Sequence, residues 1–353
     1  MPDPSPNRPP AVRPHEPGEE PDAGPVQERT PGPAEEPAPG PIRERGWCFG
    51  FHVRSPLELS LLRPGPGEGM STELVEAVLP DPDDLGQPLQ RWDAVPDRRI
   101  GTRLFRDGDG YLVSFGGPYT FRIAVGQAGS GPGSDVAAGR ITVAPAPSLE
   151  DREVLLWTTP AAVAIALQGD LALHAASVEV NGKGLLITGD SGAGKTTTAA
   201  GFHLAGHRIL SDDLSRCRLT DEPVVFPGPA VLRLRPDAGR RLFPEGLRNL
   251  DGAKPRLVIP GKRRGEGSPV PLRGIVFLRR TEGETTVRRV PPEEALRRLW
   301  PANFHLPGEV EQARCFRLTG RLVGRVPAWE LSRPMDWDSL PATVERIAEA
   351  LPG

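Results

Sequence analysis

The sequence predicts an α/β fold, a P-loop domain over residues 149–353 preceded by a small β-rich unit at 46–148 and a Pro/Glu-rich tail at 1–45. Three observations carry this reading. Gly189-Asp190-Ser191-Gly192-Ala193-Gly194-Lys195-Thr196 matches GxxxxGK[ST], lying between a buried-strand run, Leu185–Thr188, and a helical segment. Strand-like runs surround that motif while helical patterns gather late in the chain, as in an α/β domain. Before Ser148, short apolar runs are broken by Gly, Pro and Asp; after it, longer helical patterns take over.

Residues 1–45 contain no Phe, Trp or Tyr and about a third of them are Pro. Such a segment buries too little apolar surface to offset its ordering entropy and is read as disordered. Order is expected from Trp47. The runs Trp47–Val53, Leu57–Leu62, Gly101–Phe105, Tyr111–Phe115, Tyr119–Val125 and Arg140–Val143 read as strands. Asp107-Gly108-Asp109-Gly110 reads as a hairpin loop, since it lacks the closing glutamate of a calcium loop. Gly126–Gly133 reads as a second loop.

The pattern then predicts one helix over Leu149–Leu167, strands at Ala172–Val180 and Gly184–Thr188, and a helix from Lys195 to about Ala205 closed by Gly206. Further strands are expected at Arg208–Ser211, Ala230–Arg235, Arg256–Ile259, Leu272–Leu278 and Thr286–Val290. Helices are expected at Pro292–Trp300, Glu309–Leu322 and Leu340–Leu351.

Bulk properties exclude several classes. A net charge of −3 and a pI near 6.1 give no electrostatic case for a nucleic-acid partner. Cys48, Cys217 and Cys315 are scattered and odd in number, against a disulfide framework or a zinc site. No run approaches the ~20 apolar residues of a membrane span, and the N-terminus lacks the apolar core of a secretory signal. The expectation is a cytoplasmic protein with no membrane partner.

The strand–loop–helix setting gives the P-loop its chemistry. Its glycines let backbone N–H groups wrap phosphates, and the helix N-terminus adds its dipole. Gly189 through Thr197 are therefore the predicted binding segment for ATP, with Lys195 reaching the β/γ-phosphates and the Thr196 hydroxyl on Mg²⁺. Asp212-Asp213 directly follows the strand Arg208–Ser211, where the Mg²⁺-holding acid of such sites belongs, beside the P-loop strand. Two carboxylates there suit one metal ligand, assigned to Asp212 with Thr196, and one general base for an incoming hydroxyl. Asn181-Gly182 signals a two-residue hairpin that pairs 180 with 183 and sets His174 opposite Gly189, beside the phosphates. There it would orient a carboxylate or stabilise the transferring group. Ser177 faces the other way and receives no role. His203 and His207 are read as structural. Lys254, Arg256, Lys262, Arg263 and Arg264 are candidates for the cation that offsets transition-state charge.

The His174–Thr196 run followed by Gly206–Asp213 resembles the catalytic core of HPr kinase/phosphorylase, with histidine, P-loop and acid pair at that family's mutual spacing. The resemblance implies a P-loop kinase fold of the HPr kinase/phosphoenolpyruvate carboxykinase type. It implies an ATP-dependent serine kinase in which an acid of Asp212-Asp213 deprotonates the acceptor serine, with His174 close by, and it brings homo-oligomers onto the list of partners. Divergent members also act on peptide natural-product precursors, so the expected acceptor is a serine of an HPr-like protein or of such a peptide. Two departures stand out. Thr196-Thr197 replaces the usual Ser-Glu, keeping the hydroxyl, and no Arg-Gly-Leu-Gly loop is found, the nearest segment being Leu232-Arg233-Leu234-Arg235-Pro236. That missing acceptor-gripping loop motivates the alternative reading, a nucleotide-binding regulatory module without phosphotransfer.

Overall fold

Alternating burial builds the first sheet. In the computed structural model, strands β1 (Arg43–Cys48), β2 (Phe51–Ser55), β3 (Met70–Glu76), β4 (Gln90–Trp92), β5 (Thr102–Asp107), β6 (Gly110–Phe115), β7 (Thr120–Val125) and β8 (Gly139–Val143) form one sheet of order β1-β2-β3-β8-β7-β6-β5-β4. The structure describes residues 41–64, 67, 69–92, 101–116, 118–125, 139–245, 256–258 and 266–350. All of them belong to one unit, Pro39–Gly353. Most of the tail, the Gly126–Gly133 loop, and Lys254, Lys262, Arg263 and Arg264 lie outside the described residues.

The predicted strands of this region are present with four differences, β4 among them, since no strand was expected over Gln90–Trp92. The first described strand starts at Arg43, and Trp47–Val53 is two strands turning at Phe49-Gly50, both with left-handed φ. Leu57–Leu62 is not a strand, because the buried Glu153 carboxylate accepts the Ser60 and Leu61 N–H groups that a ladder would need. β3 was not legible: its inward positions are Met70, Thr72 and Leu74, and the threonine and glutamates mask the alternation. The Asp-Gly repeat is a hairpin turn, with Asp107 paired to Gly110 and both aspartates held by Arg122.

Two helices follow where one was predicted, α1 (Leu149–Leu156), capped by the Ser148 hydroxyl, and α2 (Thr159–Leu167). Pro160 has no N–H to give the preceding turn, so the chain breaks there and restarts. α2 is apolar on every side and almost wholly buried, contacting strands of both large sheets.

The second sheet is built from β9 (Leu171–Leu173), β10 (Ala176–Val180), β11 (Lys183–Gly189), β12 (Arg208–Ser211), β13 (Ser215–Arg218) and β14 (Val224–Phe226). A separate two-stranded ribbon pairs β15 (Val231–Arg233) with β16 (Arg256–Val258). β17 (Val270–Arg280), β18 (Thr286–Val290), β19 (Asn303–Phe304) and β20 (Ala328–Arg333) complete the large sheet. Its order is β12-β10-β11-β17-β14-β13-β9-β19, with β20 joining β17 and β18. β11, β17 and β20 run parallel, so their C-terminal ends meet on one edge, where ligands of α/β sheets bind.

Helices cover both faces. α3 (Lys195–Leu204), α4 (Pro236–Leu242) and α7 (Leu340–Ala350) pack on one side, α5 (Pro292–Leu299) and α6 (Glu309–Arg325) on the other. α3 ends as predicted, with Gly206 at φ +85° and the His207 N–H returning to the Phe202 carbonyl. His203 and His207 are ring neighbours of Phe243 and Phe202. The three cysteines are buried and free. No helix among the described residues is long and apolar enough to cross a membrane.

The two sheets interlock. Phe49, fully buried, donates its N–H to the Pro227 carbonyl at 2.6 Å. Arg63 reaches from the first sheet to the Gly228, Ile209 and Leu210 carbonyls at 3.0–3.3 Å. Arg216 donates to the Phe49 carbonyl, lies between the Phe51 and Phe226 rings at 4.7 Å each, and pairs with Asp170.

Candidate functional site

The P-loop adopts the conformation its glycines require. Gly189 has φ +145°, and a Cβ there would lie 2.6 Å from the Leu278 carbonyl oxygen, so β17 excludes any other residue. Gly192 and Gly194 are also left-handed, which turns the chain into α3. Asp190 and Ser191 are exposed, Ala193 is buried, and the Ala193 N–H closes the loop on the Asp190 carbonyl at 3.1 Å. Lys195 is buried and donates its Nζ to the Gly189 and Asp190 carbonyls at 2.9 and 3.3 Å. Thr196 and Thr197 follow on the first turn, half-buried.

Asp212 meets Thr196 directly, its Oδ1 accepting from the Thr196 hydroxyl at 2.8 Å. The route differs from the one predicted. β10 stands between β11 and β12, so the acid-bearing strand is two places from the P-loop strand, and α3 passes over β10 to close the gap. The chain turns sharply after Asp212. The Leu214 N–H returns to the Asp212 carbonyl at 2.7 Å and Asp213 takes φ +60°, a left-handed conformation that Asp tolerates. This turn is why consecutive acids share one region instead of pointing apart.

Arg233 binds both acids. Its backbone N–H donates to Asp212 Oδ2 at 2.8 Å and its guanidinium to Asp213 Oδ2 at 2.5 Å. Burial, then the Asp213 carboxylate, push Asp212 up to about 7, against the pull of Arg233 and Thr196. Sequence reasoning gave Arg233 no role, although it lies within a predicted strand; nothing in its spacing marks it. The basic residues that were nominated fall outside the described residues, except Arg256, on β16.

His174 interrupts the strand predicted across it. β9 pairs with β13 and β19 while β10 pairs with β11 and β12, and the switch is made at His174-Ala175. The register between β10 and β11 is the predicted one, Val180 opposite Lys183, but the ladder stops at Ala176. His174 is held by its own N–H to the Ala302 carbonyl and by its carbonyl, which accepts from Thr188 at 3.4 Å. Its Nδ1 lies 2.9 Å from the Asp213 carbonyl, which can only accept, so Nδ1 carries the hydrogen. His174 keeps an exposed edge, and the partial desolvation of its ring, the largest cause, lowers its pKa, partly opposed by Asp213. His174 thus orients the Asp213 main chain rather than the carboxylate. Behind these residues runs a buried hydroxyl chain, Ser177 to Ser211 at 2.6 Å, Ser211 to Ser215 at 2.8 Å, and Ser215 to the Ala175 carbonyl at 3.0 Å. It ties the turn bearing His174 to the turn bearing the acids.

The residues present fit a nucleotide with Mg²⁺. Among the described residues no group of three or more His, Cys, Asp or Glu side chains could hold a metal unaided. Mg²⁺ needs no such cage, since it binds through one or two protein oxygens together with phosphates and water. The Thr196 hydroxyl and Asp212 carboxylate, 2.8 Å apart, are two oxygens that would suit it.

No protein-family model matches the chain. Curated relatives match short segments: HPr kinase/phosphorylase of Latilactobacillus sakei is 43% identical over 72 residues, 19% of this chain and 23% of the relative. The protein of the same name from Clostridium botulinum (strain Eklund 17B) is 41% identical over 59 residues, and that from Treponema pallidum (strain Nichols) 54% over 44, covering 17% and 12% of this chain and 19% and 14% of theirs. The chain thus spans about a fifth of the length of the curated relatives it matches. Over those segments it is similar to HPr kinase/phosphorylase. The solved structure of the Hpr(Ser) kinase/phosphatase from Coxiella burnetii overlaps 50% of this chain and 93% of its own at 13% identity, with a TM-score of 0.29.

Proposed function

We propose that the chain is an ATP- and Mg²⁺-dependent kinase that transfers the γ-phosphoryl group to a serine hydroxyl of a protein or peptide. The observation that carries this reading is the 2.8 Å contact between the P-loop hydroxyl of Thr196 and Asp212, with Asp213 beside it. A nucleotide-binding module needs only the Thr196 and Asp212 pair that would hold Mg²⁺; the further acid, Asp213, is the equipment of a site that activates a hydroxyl.

In this reading the P-loop amides and Lys195 hold the triphosphate, Lys195 exchanging its loop carbonyls for phosphate oxygens. Thr196 and Asp212 would hold Mg²⁺, which supplies charge neutralisation across the phosphates. Asp213 accepts the proton of the serine hydroxyl as its oxygen bonds to the γ-phosphorus and the bond to the β–γ bridging oxygen breaks, releasing ADP. His174 keeps the Asp213 turn in place, and Arg233 aims its carboxylate. The names of the curated relatives support an HPr-like protein as the acceptor to try first; a peptide natural-product precursor is the second.

The test incubates labelled ATP with the purified chain and each acceptor and looks for phosphoserine. Lys195→Ala and Asp213→Asn are expected to abolish transfer while remaining folded. Transfer retained in both variants overturns the reading. ATP binding without transfer to either acceptor returns the chain to the class of regulatory modules.

A further inference from the structure

Among the described residues four arginines are buried, and three of them have their charge or donors matched, Arg152 by Glu76. Arg63 gives its guanidinium to three carbonyls, and Arg216 pairs with Asp170 between two aromatic rings. Arg333 is the exception. It is the last residue of β20, 2% exposed, at the same sheet edge as the P-loop. Its Nη1 donates to the Pro334 carbonyl at 3.2 Å and its Nη2 to the Thr198 hydroxyl at 3.4 Å, while its Nε finds no partner. Among the described residues no carboxylate stands within ion-pair distance of it. The acid that favours its charge, Asp336, is exposed to solvent and makes no ion pair with it, so its field is screened.

A buried cation without a counter-charge is costly, and a guanidinium does not escape by losing its proton. Its location shows where the missing charge would come from. A Cβ on Gly194 would sit 2.8 Å from Arg333 Nη2, so the guanidinium lies directly beneath the last glycine of the P-loop, one residue before Lys195. Glycine at 194 is what allows this approach. Thr198, which takes the other contact, is on the first turns of α3, whose N-terminus faces the phosphate site.

We propose that Arg333 is a positioning residue for the nucleotide, a buried cation beneath Gly194 whose charge is balanced by the phosphates bound on the other side of the loop. It touches no phosphate. It acts through the field at the loop and by fixing Gly194, so its contribution grows with the charge of the ligand. The inference rests on the nucleotide-binding half of the function proposed above.

The test measures equilibrium binding of ATP, ADP, AMP and adenosine to the full chain with chelator present, by calorimetry, for wild type, Arg333→Met and Arg333→Lys. Arg333→Met is expected to weaken ATP by about tenfold, ADP less, and adenosine hardly at all, as a lost charge–charge attraction requires. Arg333→Lys is expected to keep the wild-type ratio of ATP to adenosine affinity, which makes it decisive even if the methionine variant does not fold. An equal loss for all four ligands assigns Arg333 a purely structural role and overturns the proposal, as does a lysine variant whose ratio collapses. Wild-type protein that binds none of the four overturns nucleotide binding itself, so the two failures are distinguishable.

Discussion

The Thr196 hydroxyl donates to the Asp212 carboxylate at 2.8 Å, joining the first turn of the P-loop helix to the end of a strand two places away in the sheet. The pair predicts a sharp split between two small substitutions. Thr196→Ser keeps the hydroxyl and should retain Mg²⁺-dependent transfer. Thr196→Ala removes the oxygen proposed to hold the metal and leaves Asp212 Oδ1 without its donor, so transfer should fall by roughly tenfold to a hundredfold, with partial recovery at raised Mg²⁺. Titrating activity against Mg²⁺ for both variants checks this. Equal losses would remove the hydroxyl from the site.

Asp212 also makes a prediction about pH. A carboxyl raised from 3.8 to about 7 on folding holds its proton more tightly in the folded chain. Its stabilising contribution is therefore complete at low pH and is lost as pH rises through the interval from about 4 to about 7. Asp212→Asn has no such dependence. In ligand-free protein with chelator present, the melting temperature of the variant relative to wild type should rise from pH 5 to about pH 7 and level off above it. Scanning fluorimetry across that range measures it, and a difference that falls with rising pH contradicts the assignment.

Arg233 should separate binding from transfer. Its backbone N–H serves Asp212 whatever its side chain, while the guanidinium serves Asp213 alone. Arg233→Met should lower kcat by roughly tenfold to a hundredfold, as loss of a charged group poised at a reacting centre does, and leave nucleotide affinity nearly unchanged. Arg233→Lys should recover part of the loss. A matching fall in nucleotide affinity would move Arg233 to the donor side of the site.

The strand, glycine loop and helix around Lys195 could be read from the sequence because their information is local. A Gly-rich loop with Lys-Thr needs only the strand before it and the helix after it, and the Asn181-Gly182 turn fixes a register that can be counted. Arg233 and Arg333 were out of reach for a different reason. Each acts through a tertiary contact, and neither spacing nor periodicity records which arginine will lie against Gly194 or Asp213. β20 was hidden as well, since Glu330 and Arg333 occupy inward positions and erase the apolar alternation that marks a strand. Glu330 is accommodated there by Arg288 and Arg298, both brought by other elements. The His174 break was hidden because the apolar run continues straight through it.

The first sheet is expected to be indispensable to the site. Arg63 is held to about 10 by burial and remains charged at neutral pH, and its donors satisfy the Ile209 and Leu210 carbonyls of β12, the strand that delivers Asp212. It also takes the Gly228 carbonyl, while the Phe49 turn fills the space above Gly228, where a Cβ would lie 2.4 Å from the ring. Arg63→Met would leave those buried carbonyls unpaired, a loss of about 3 kcal/mol or more. That should lower the melting temperature by roughly 5 °C in a unit of this size. Residues 149–353 expressed alone lack both Arg63 and Phe49, so β12 loses its outer support. That fragment should lose the Mg²⁺ dependence of nucleotide binding proposed for Asp212, as calorimetry with and without Mg²⁺ would reveal. A fragment that binds Mg²⁺-ATP as tightly as the full chain would show that the acids are placed by the second sheet alone.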